Sequence, residues 1–242
     1  MIRLKKQLTI VVATLSVLAL SVGIALAVPI PNGNFESGNT AFSSAYLYFA
    51  QPAIPASGYS NPKASLYDEG TYGVGTDPGL YHISWSHFGD HTTGTGNMMI
   101  VNGDTQANVQ VWASPVSLDT IPVVLGATYY FSAWLTSVYP QIGNPPIAPA
   151  TLAFSINGVQ IDGDFMLSEP VGTWELFYVP WVADATSANL SLINRNLIAA
   201  GNDFALDDIS LDTTNPIPEP TTMILLGSGL IGLWGARKKF KK

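Results

Sequence analysis

The chain reads as short apolar runs between turns, with strict alternation of apolar and polar residues in the longest of them. Tyr129–Val138 carries Tyr129, Phe131, Ala133 and Leu135 on one face and Tyr130, Ser132, Trp134 and Thr136 on the other. Period-two alternation of this kind marks a half-buried strand. Val109–Ala113 and 204–212 repeat the pattern, and strands are also predicted at 45–50, 98–101, 174–181 and 188–194. Segments 151–156 and 159–161 flank Asn157-Gly158, a turn pair suited to a tight hairpin. Asn34-Phe35-Glu36 reads as a short first strand, and Tyr81–Trp85 as a strand with Tyr81, Ile83 and Trp85 on one face. Glu69–Gly79 reads as a glycine-rich turn. No 3.6-residue period of useful length occurs between 28 and 215, and no internal repeat. Some ten short strands separated by turns predict an all-β fold, a single β-sandwich or jelly roll.

The two ends differ. Arg3, Lys5 and Lys6 precede an apolar run from Leu8 to Leu26, and Ala25-Leu26-Ala27 supplies a small-x-small site. Residues 1–27 therefore read as a secretory signal peptide, with an uncleaved anchor as the alternative for so long an apolar run. At the other end, Pro216-Ile217-Pro218-Glu219-Pro220 leads into sixteen uncharged residues, 221–236, and then into Arg237, Lys238, Lys239, Lys241 and Lys242. A sixteen-residue helix spans roughly 24 Å, short for a bilayer core of about 30 Å. The basic tail, 237–242, is predicted on the cytoplasmic side, which places the rest of the chain outside.

Charge sharpens this division. Eight of the ten Lys and Arg lie in the two ends. Residues 28–215 keep only Lys63 and Arg195 against sixteen acids, a net of −14. Such a surface repels nucleic acid and anionic lipid; neutral glycans and cations suit it. The chain has no cysteine, so thiol chemistry and disulfides are excluded. There is no Gly-x-Ser-x-Gly elbow, phosphate loop or dinucleotide fingerprint. Asp162/Asp164 and Asp207/Asp208 are the acidic pairs from which glycoside hydrolysis could be assembled, but an acidic patch on a strand suits solvent or calcium better. His82, His87 and His91 match no zinc spacing.

The tail resembles the PEP-CTERM sorting signal of Gram-negative bacteria, on Pro218-Glu219-Pro220, the glycine-bearing apolar span and the basic cluster. This resemblance implies recognition at Pro218, Glu219 and Pro220 by an exosortase-type membrane protease, after passage through an export translocon. It also implies delivery to the cell envelope, outer surface or matrix; a plain membrane anchor is the alternative. The body resembles the galactose-binding-like jelly roll that houses many carbohydrate-binding modules. The matching stretches are Asn32-Gly33-Asn34-Phe35-Glu36, the run from Gly126 to Trp134, and the run from Phe204 to Leu211. In such modules the first and last strands lie together and often hold a structural calcium. Carried over, this makes Glu36 and Asp207 candidate metal ligands; the alternative is that Asp207 and Asp208 merely alternate on an edge strand, one solvated and one capping a turn.

Sugar rings stack on aromatic planes while neighbouring amides and carboxylates take the hydroxyls. Gln110, Trp112, Tyr130 and Trp134 would form such a platform if their strands were neighbours; otherwise both tryptophans lie inside the sandwich. Asp90 and His91, with the threonines after them, form a second candidate, a polar binding loop. Trp174 and Trp181 fall on opposite faces of one strand. The resulting expectation is an exported, non-catalytic surface or matrix protein that binds carbohydrate. The alternatives are a structural or adhesive matrix protein without a defined sugar, and a glycan-active enzyme.

Overall fold

The computed structural model describes residues 30–50, 66–114, 121–140 and 148–216. The predicted signal peptide, the Pro218-Glu219-Pro220 motif and the apolar span of the tail lie outside the described residues. Among the described residues the fold is all-β, with one short 3-10 turn at Pro78–Leu80 and no helix long and apolar enough to cross a membrane.

Thirteen strands form the scaffold: β1 (Leu47–Tyr48), β2 (Thr71–Gly75), β3 (Met98–Asn102), β4 (Gln110–Ala113), β5 (Ile121–Pro122), β6 (Thr128–Ser137), β7 (Thr151–Ile156), β8 (Val159–Gln160), β9 (Phe165–Met166), β10 (Glu175–Val182), β11 (Ser187–Ala188), β12 (Leu190–Asn194) and β13 (Phe204–Asp212). One sheet runs β1-β2-β3-β13-β6-β10, the other β4-β12-β7-β8 with β9 also on β7, and β5 pairs with β11. The chain alternates between the two larger sheets, so their inner faces close on one another.

Alternation decides which side chains meet there. Tyr129, Phe131, Ala133 and Leu135 of β6 point inward and join Leu152, Phe154 and Ile156 of β7 in one core. Phe154 stacks on Phe177 of β10 at 3.5 Å between ring centroids, and Phe131 meets Phe154 edge-on at 5.5 Å. Each such aromatic pair adds roughly 0.5–1.5 kcal/mol beyond the area it buries.

The first-named sheet also carries a second, smaller core on its outer face. Leu66, Tyr81, Trp85, Met98, Ile100, Val138 and Ala205 pack together there, beneath the segment that runs from Asp77 to Asn97. This explains why β3 is an unbroken apolar run: Met99 and Val101 face the main core and Met98 and Ile100 face the second.

Three expectations fail locally. Asn34-Phe35-Glu36 is a turn, not a strand; Asn32 and Phe35 both have φ of 55°, and a left-handed residue cannot continue a ladder. Tyr81–Trp85 is also a turn. Tyr81 and Trp85 are both buried, but Ile83 is 59% exposed rather than sharing their face. Conversely, Thr71–Gly75 is a strand inside the presumed glycine-rich turn. Gly73 is needed there because a Cβ would collide with the Tyr81 ring that lies across the strand, and the Tyr81 hydroxyl donates to the Val74 carbonyl at 2.8 Å.

Candidate functional site

β13 lies between β3 and β6, so Asp207 and Asp208 sit on an interior strand and not on an edge. The register runs Asp207↔Trp134 and then Ser210↔Ser132, which leaves one extra residue on β13. That bulge forms at Asp208, whose φ is 47°. A bulge breaks the alternation of a strand. Here it leaves Asp207 and Asp208 facing the same loop, from Asp90 to Asn97.

The loop is built around two carboxylates. Asp90 is buried and accepts from the amides of Thr92 (3.1 Å), Thr93 (2.8 Å) and Gly96 (2.6 Å) and from the Thr93 hydroxyl (2.9 Å). Burial alone would raise its pKa, but the donors from Thr93, Gly96 and Thr95 win and hold it below the ordinary value. Glu36 accepts from the Asn97 amide at 2.9 Å. Gly96 is required because a Cβ would collide with Glu36 Oε1.

His91 pins the loop to the sheet. Its amide donates to Asp207 Oδ2 at 3.0 Å, and its Nδ1 pairs with Asp208 Oδ2 at 2.7 Å. The Thr92 hydroxyl donates to the same Asp208 oxygen. The imidazole stacks on Trp134 and meets Trp174 edge-on at 5.9 Å. Asp207 is almost fully buried, and burial, with Asp208 beside it, pushes its pKa up to about 8.

Beyond His91 the outer face of this sheet carries half-buried Tyr130 and Ser210 and exposed Tyr178 around a buried Ser132. Tyr130 and Ser132 of β6 lie beside Pro180 and Tyr178 of β10 and beside Asp212 and Ser210 of β13. The Ser132 and Ser210 hydroxyls are 2.8 Å apart. Tyr178 also lines a cleft of about 290 Å³, together with Asp162 and Asp164. Asp164 accepts from Gln160 Nε2 at 2.9 Å.

The structure thus divides the predicted residues. Asp90, His91, Trp134, Asp207 and Glu36 gather at the loop, and Tyr130 stands on the same sheet face. Gln110 and Trp112 do not join them. Trp112 belongs to β4 of the opposite sheet, is 1% exposed and sits in the main core. The four-residue platform is therefore corrected: β4 pairs with β12 and never neighbours β6. Gln110, half-buried at the start of β4, stays with it on the far sheet. Glu36 and Asp207 each accept a main-chain amide of this loop, from Asn97 and from His91. Among the described residues no three His, Asp or Glu side chains converge to hold a metal ion. His82 stacks between Tyr67 and Trp85, and His87 pairs with Asp77, so the three histidines are separate. Trp174 and Trp181 do fall on opposite faces, one beside the second core and the other against the main core.

Sequence reasoning missed Tyr178, and it named Asp208 and Thr92 without bringing them together. Tyr178 was legible as an outward position in the alternation of Glu175–Val182; the bulge that turns Asp208 has no signal in the residues themselves.

No curated protein matches the chain. Among solved structures, the EclA C-terminal domain, a sugar-binding protein, is 16% identical with a TM-score of 0.33, covering 39% of this chain and 64% of its own. The N-terminal CBM22-1-CBM22-2 tandem domain from Paenibacillus barcinonensis is 14% identical with a TM-score of 0.42, covering 77% of this chain and 45% of its own. The chain thus spans less than two thirds of the length of these two. A family 16 carbohydrate-binding module is 13% identical with a TM-score of 0.37, covering 75% of this chain and 97% of its own. Residues 216–239 match the family described as the PEP-CTERM protein-sorting motif, and this chain is accordingly an exported protein carrying that motif at its end.

Proposed function

We propose that this is a non-catalytic surface or matrix protein whose sandwich, a jelly roll of galactose-binding-like type, binds carbohydrate through the outer face of its six-stranded sheet. Tyr178 carries the reading. It is 37% exposed and stands between a face that offers Tyr130 and Ser210 and a cleft lined by Asp162 and Asp164. Aromatic rings beside hydroxyl and carboxylate groups are what a neutral sugar needs: a C–H face to stack and acceptors for its hydroxyls. With no cationic side chain besides Lys63 and Arg195 in the body, neutral polysaccharides fit better than anionic ones. On this reading an exosortase-type protease acts at Pro218-Glu219-Pro220 and delivers the domain to the outer surface or matrix.

The experiment is retention of the protein on insoluble polysaccharides and a glycan array, comparing wild type with Tyr178→Ala and Tyr130→Ala. Saturable binding lost in both variants, with no release of reducing sugar, supports the reading. Binding indifferent to both moves the site elsewhere, and sugar release restores an enzyme. A folded protein that binds nothing leaves a structural or adhesive role.

Calcium at Glu36 and Asp207 belongs to the same proposal. Glu36, Asp90, Asp207 and Asp208 surround one loop, and carboxylate oxygens are the donors a hard cation takes. A melting temperature unchanged between calcium and chelator in every variant would remove calcium here.

A further inference from the structure

The last register pair of β13 is Asp212↔Tyr130, beside the start of β6, and the chain leaves the fold there. Three turns meet at the same end. Val182 pairs with Thr128, and the Gly126 amide donates to the Ala183 carbonyl at 2.7 Å, which joins the turn 124–127 to the end of β10. The Val123 amide donates to the Thr186 carbonyl at 3.1 Å, and Ser187↔Pro122 brings β11 alongside. Asn157, in the β7–β8 hairpin, donates through its amide to the Asn189 carbonyl at 2.8 Å and through Nδ2 to the Ser187 carbonyl at 3.3 Å. These contacts tie the three turns into one surface.

Its tips are aliphatic. The Ala127 amide closes a turn on the Val124 carbonyl at 3.0 Å, with Leu125 and Gly126 at its centre and Gly126 at φ 80°. Polar residues, proline and glycine ordinarily occupy such tips, because their backbones suit the turn and their side chains meet water. Val123, one residue earlier, is core. Val124 is 58% exposed and Leu125 62%; Val182 is 60% exposed and Val159, just after the hairpin turn, 66%. Four aliphatic side chains are therefore presented to the outside at one end of the sandwich.

The charge of the domain is elsewhere. Over 121–128, 157–159 and 182–187 the one charged residue is Asp184. Asp212, at the exit, accepts from the Thr214 amide at 2.9 Å. Asp68, Glu69, Asp104 and Asp203 lie at the opposite end, because Thr71↔Asn102 and Val101↔Phe204 carry β2, β3 and the start of β13 there. A body with a net of −14 thus keeps these three turns almost uncharged.

What covers this end follows from the chain beyond it. Eight residues, 213–220, three of them proline, separate Asp212 from the uncharged run 221–236 inside the sorting motif. Fully extended they reach at most roughly 30 Å. A run seated in a bilayer therefore holds this end of the sandwich within reach of the membrane, and the headgroup layer fills roughly 5–8 Å of the gap. Uncharged aliphatic tips enter the boundary between headgroups and acyl chains readily, whereas acids resist the loss of water.

We propose that Val124, Leu125, Val159 and Val182 form a lipid-contact surface that seats the domain on the bilayer while the sorting tail is attached. The three turns carry no cation, so the contact is with neutral headgroups and the upper acyl chains and not with anionic phosphate. The strands then run away from the membrane, and both sheet faces stay clear of it. The surface rests on the sorting motif and is independent of the carbohydrate reading.

Because the chain has no cysteine, a single introduced one carries a polarity-sensitive fluorophore at a chosen position. The full chain is reconstituted into phosphatidylcholine vesicles with the label at Leu125→Cys, at Val182→Cys or, as the control, at Leu197→Cys. Leu197 lies past Asn194, whose pairing with Leu152 puts it at the opposite end. Labels at 125 and 182 should shift to the blue and be quenched by spin-labelled phosphatidylcholine several-fold more than the label at 197. Adding Val124→Asp and Val159→Asp, both at exposed positions, should return the label at 182 to its value in water with Tm unchanged. Equal quenching at 125 and 197 would overturn the surface. So would a blue shift without quenching by lipid, which marks contact with a second copy or with the tail, and so would a chain that does not float with the vesicles.

Discussion

The imidazole of His91 lies flat on the indole of Trp134, with ring centroids 3.9 Å apart and planes 15° from parallel. The two residues are more than forty positions apart in sequence, and their stack closes a loop onto a sheet. The same histidine reaches Asp208 and, through its amide, Asp207. One side chain therefore couples the polar loop, the β13 bulge and the aromatic face.

Replacing His91 with Ala removes the stack and one charged hydrogen bond. We expect a stability loss of about 1–3 kcal/mol and a change in tryptophan emission, read in a denaturant titration. His91→Phe keeps the ring and should recover part of the loss. A variant as stable as wild type would mean that the loop is not held from this side.

Tyr178→Ala and Tyr130→Ala should each leave Tm within a few degrees of wild type, since both rings are partly solvated. Losing one stacking partner at roughly 1–1.5 kcal/mol lowers polysaccharide affinity about tenfold. Affinity electrophoresis in polysaccharide gels reads this directly. A Tm drop that accounts for the loss would assign these residues to packing.

Trp112→Ala should behave oppositely. It opens a cavity in the main core, and such truncations cost roughly 3–5 kcal/mol. The expected outcome is a large fall in stability measured by urea unfolding. A stable Trp112→Ala protein with weakened sugar binding would reinstate Trp112 as a platform residue.

Stability should fall as pH rises through the neutral range. Asp207 titrates at about 8 in the folded protein because of burial and its neighbour Asp208, against an unfolded value of about 4. The folded state then binds more protons than the unfolded one between those values. Its contribution is complete below about pH 4 and is lost by about pH 8. In chelator, Asp207→Asn should flatten the slope of urea midpoint against pH; an unchanged slope would acquit Asp207.

Gly89→Ala places a Cβ in collision with the Gly94 carbonyl, backbone against backbone, across the neck of the His91 loop. A cost of about 1–3 kcal/mol is expected. Gly163→Ala meets nothing within 4 Å and should change stability by less than about 0.5 kcal/mol. Equal Tm shifts in the two would contradict the packed neck.

The all-β class and the inward faces of β6, β7, β10 and β13 were legible because alternation is a local property. Phe131 and Phe177 are inward by period two alone, whatever their partners. The terminal address was legible for the same reason: Pro218-Glu219-Pro220, the apolar run and the basic cluster are contiguous. The loop residues Asp90 and His91 were visible as polar chemistry. Local pattern went wrong where a residue's partner is distant. Tyr81–Trp85 alternates like a strand, yet it turns because the outer face of β3 must be covered, and Tyr81 fills the space Gly73 leaves.

What the residues determined by themselves was thus a sandwich with an acidic, aromatic body and an exported fate. Only the tertiary structure decided which tryptophan reached the surface face. Trp112 and Trp134 have similar strand contexts, but β4 joins one sheet and β6 the other, and sheet membership is set by which strands pair. Nor could any local rule have placed Asn102 beside Asp203 or turned Asp208 toward His91. Both depend on the register between strands about a hundred residues apart, and one extra residue in that register reverses a side chain's face.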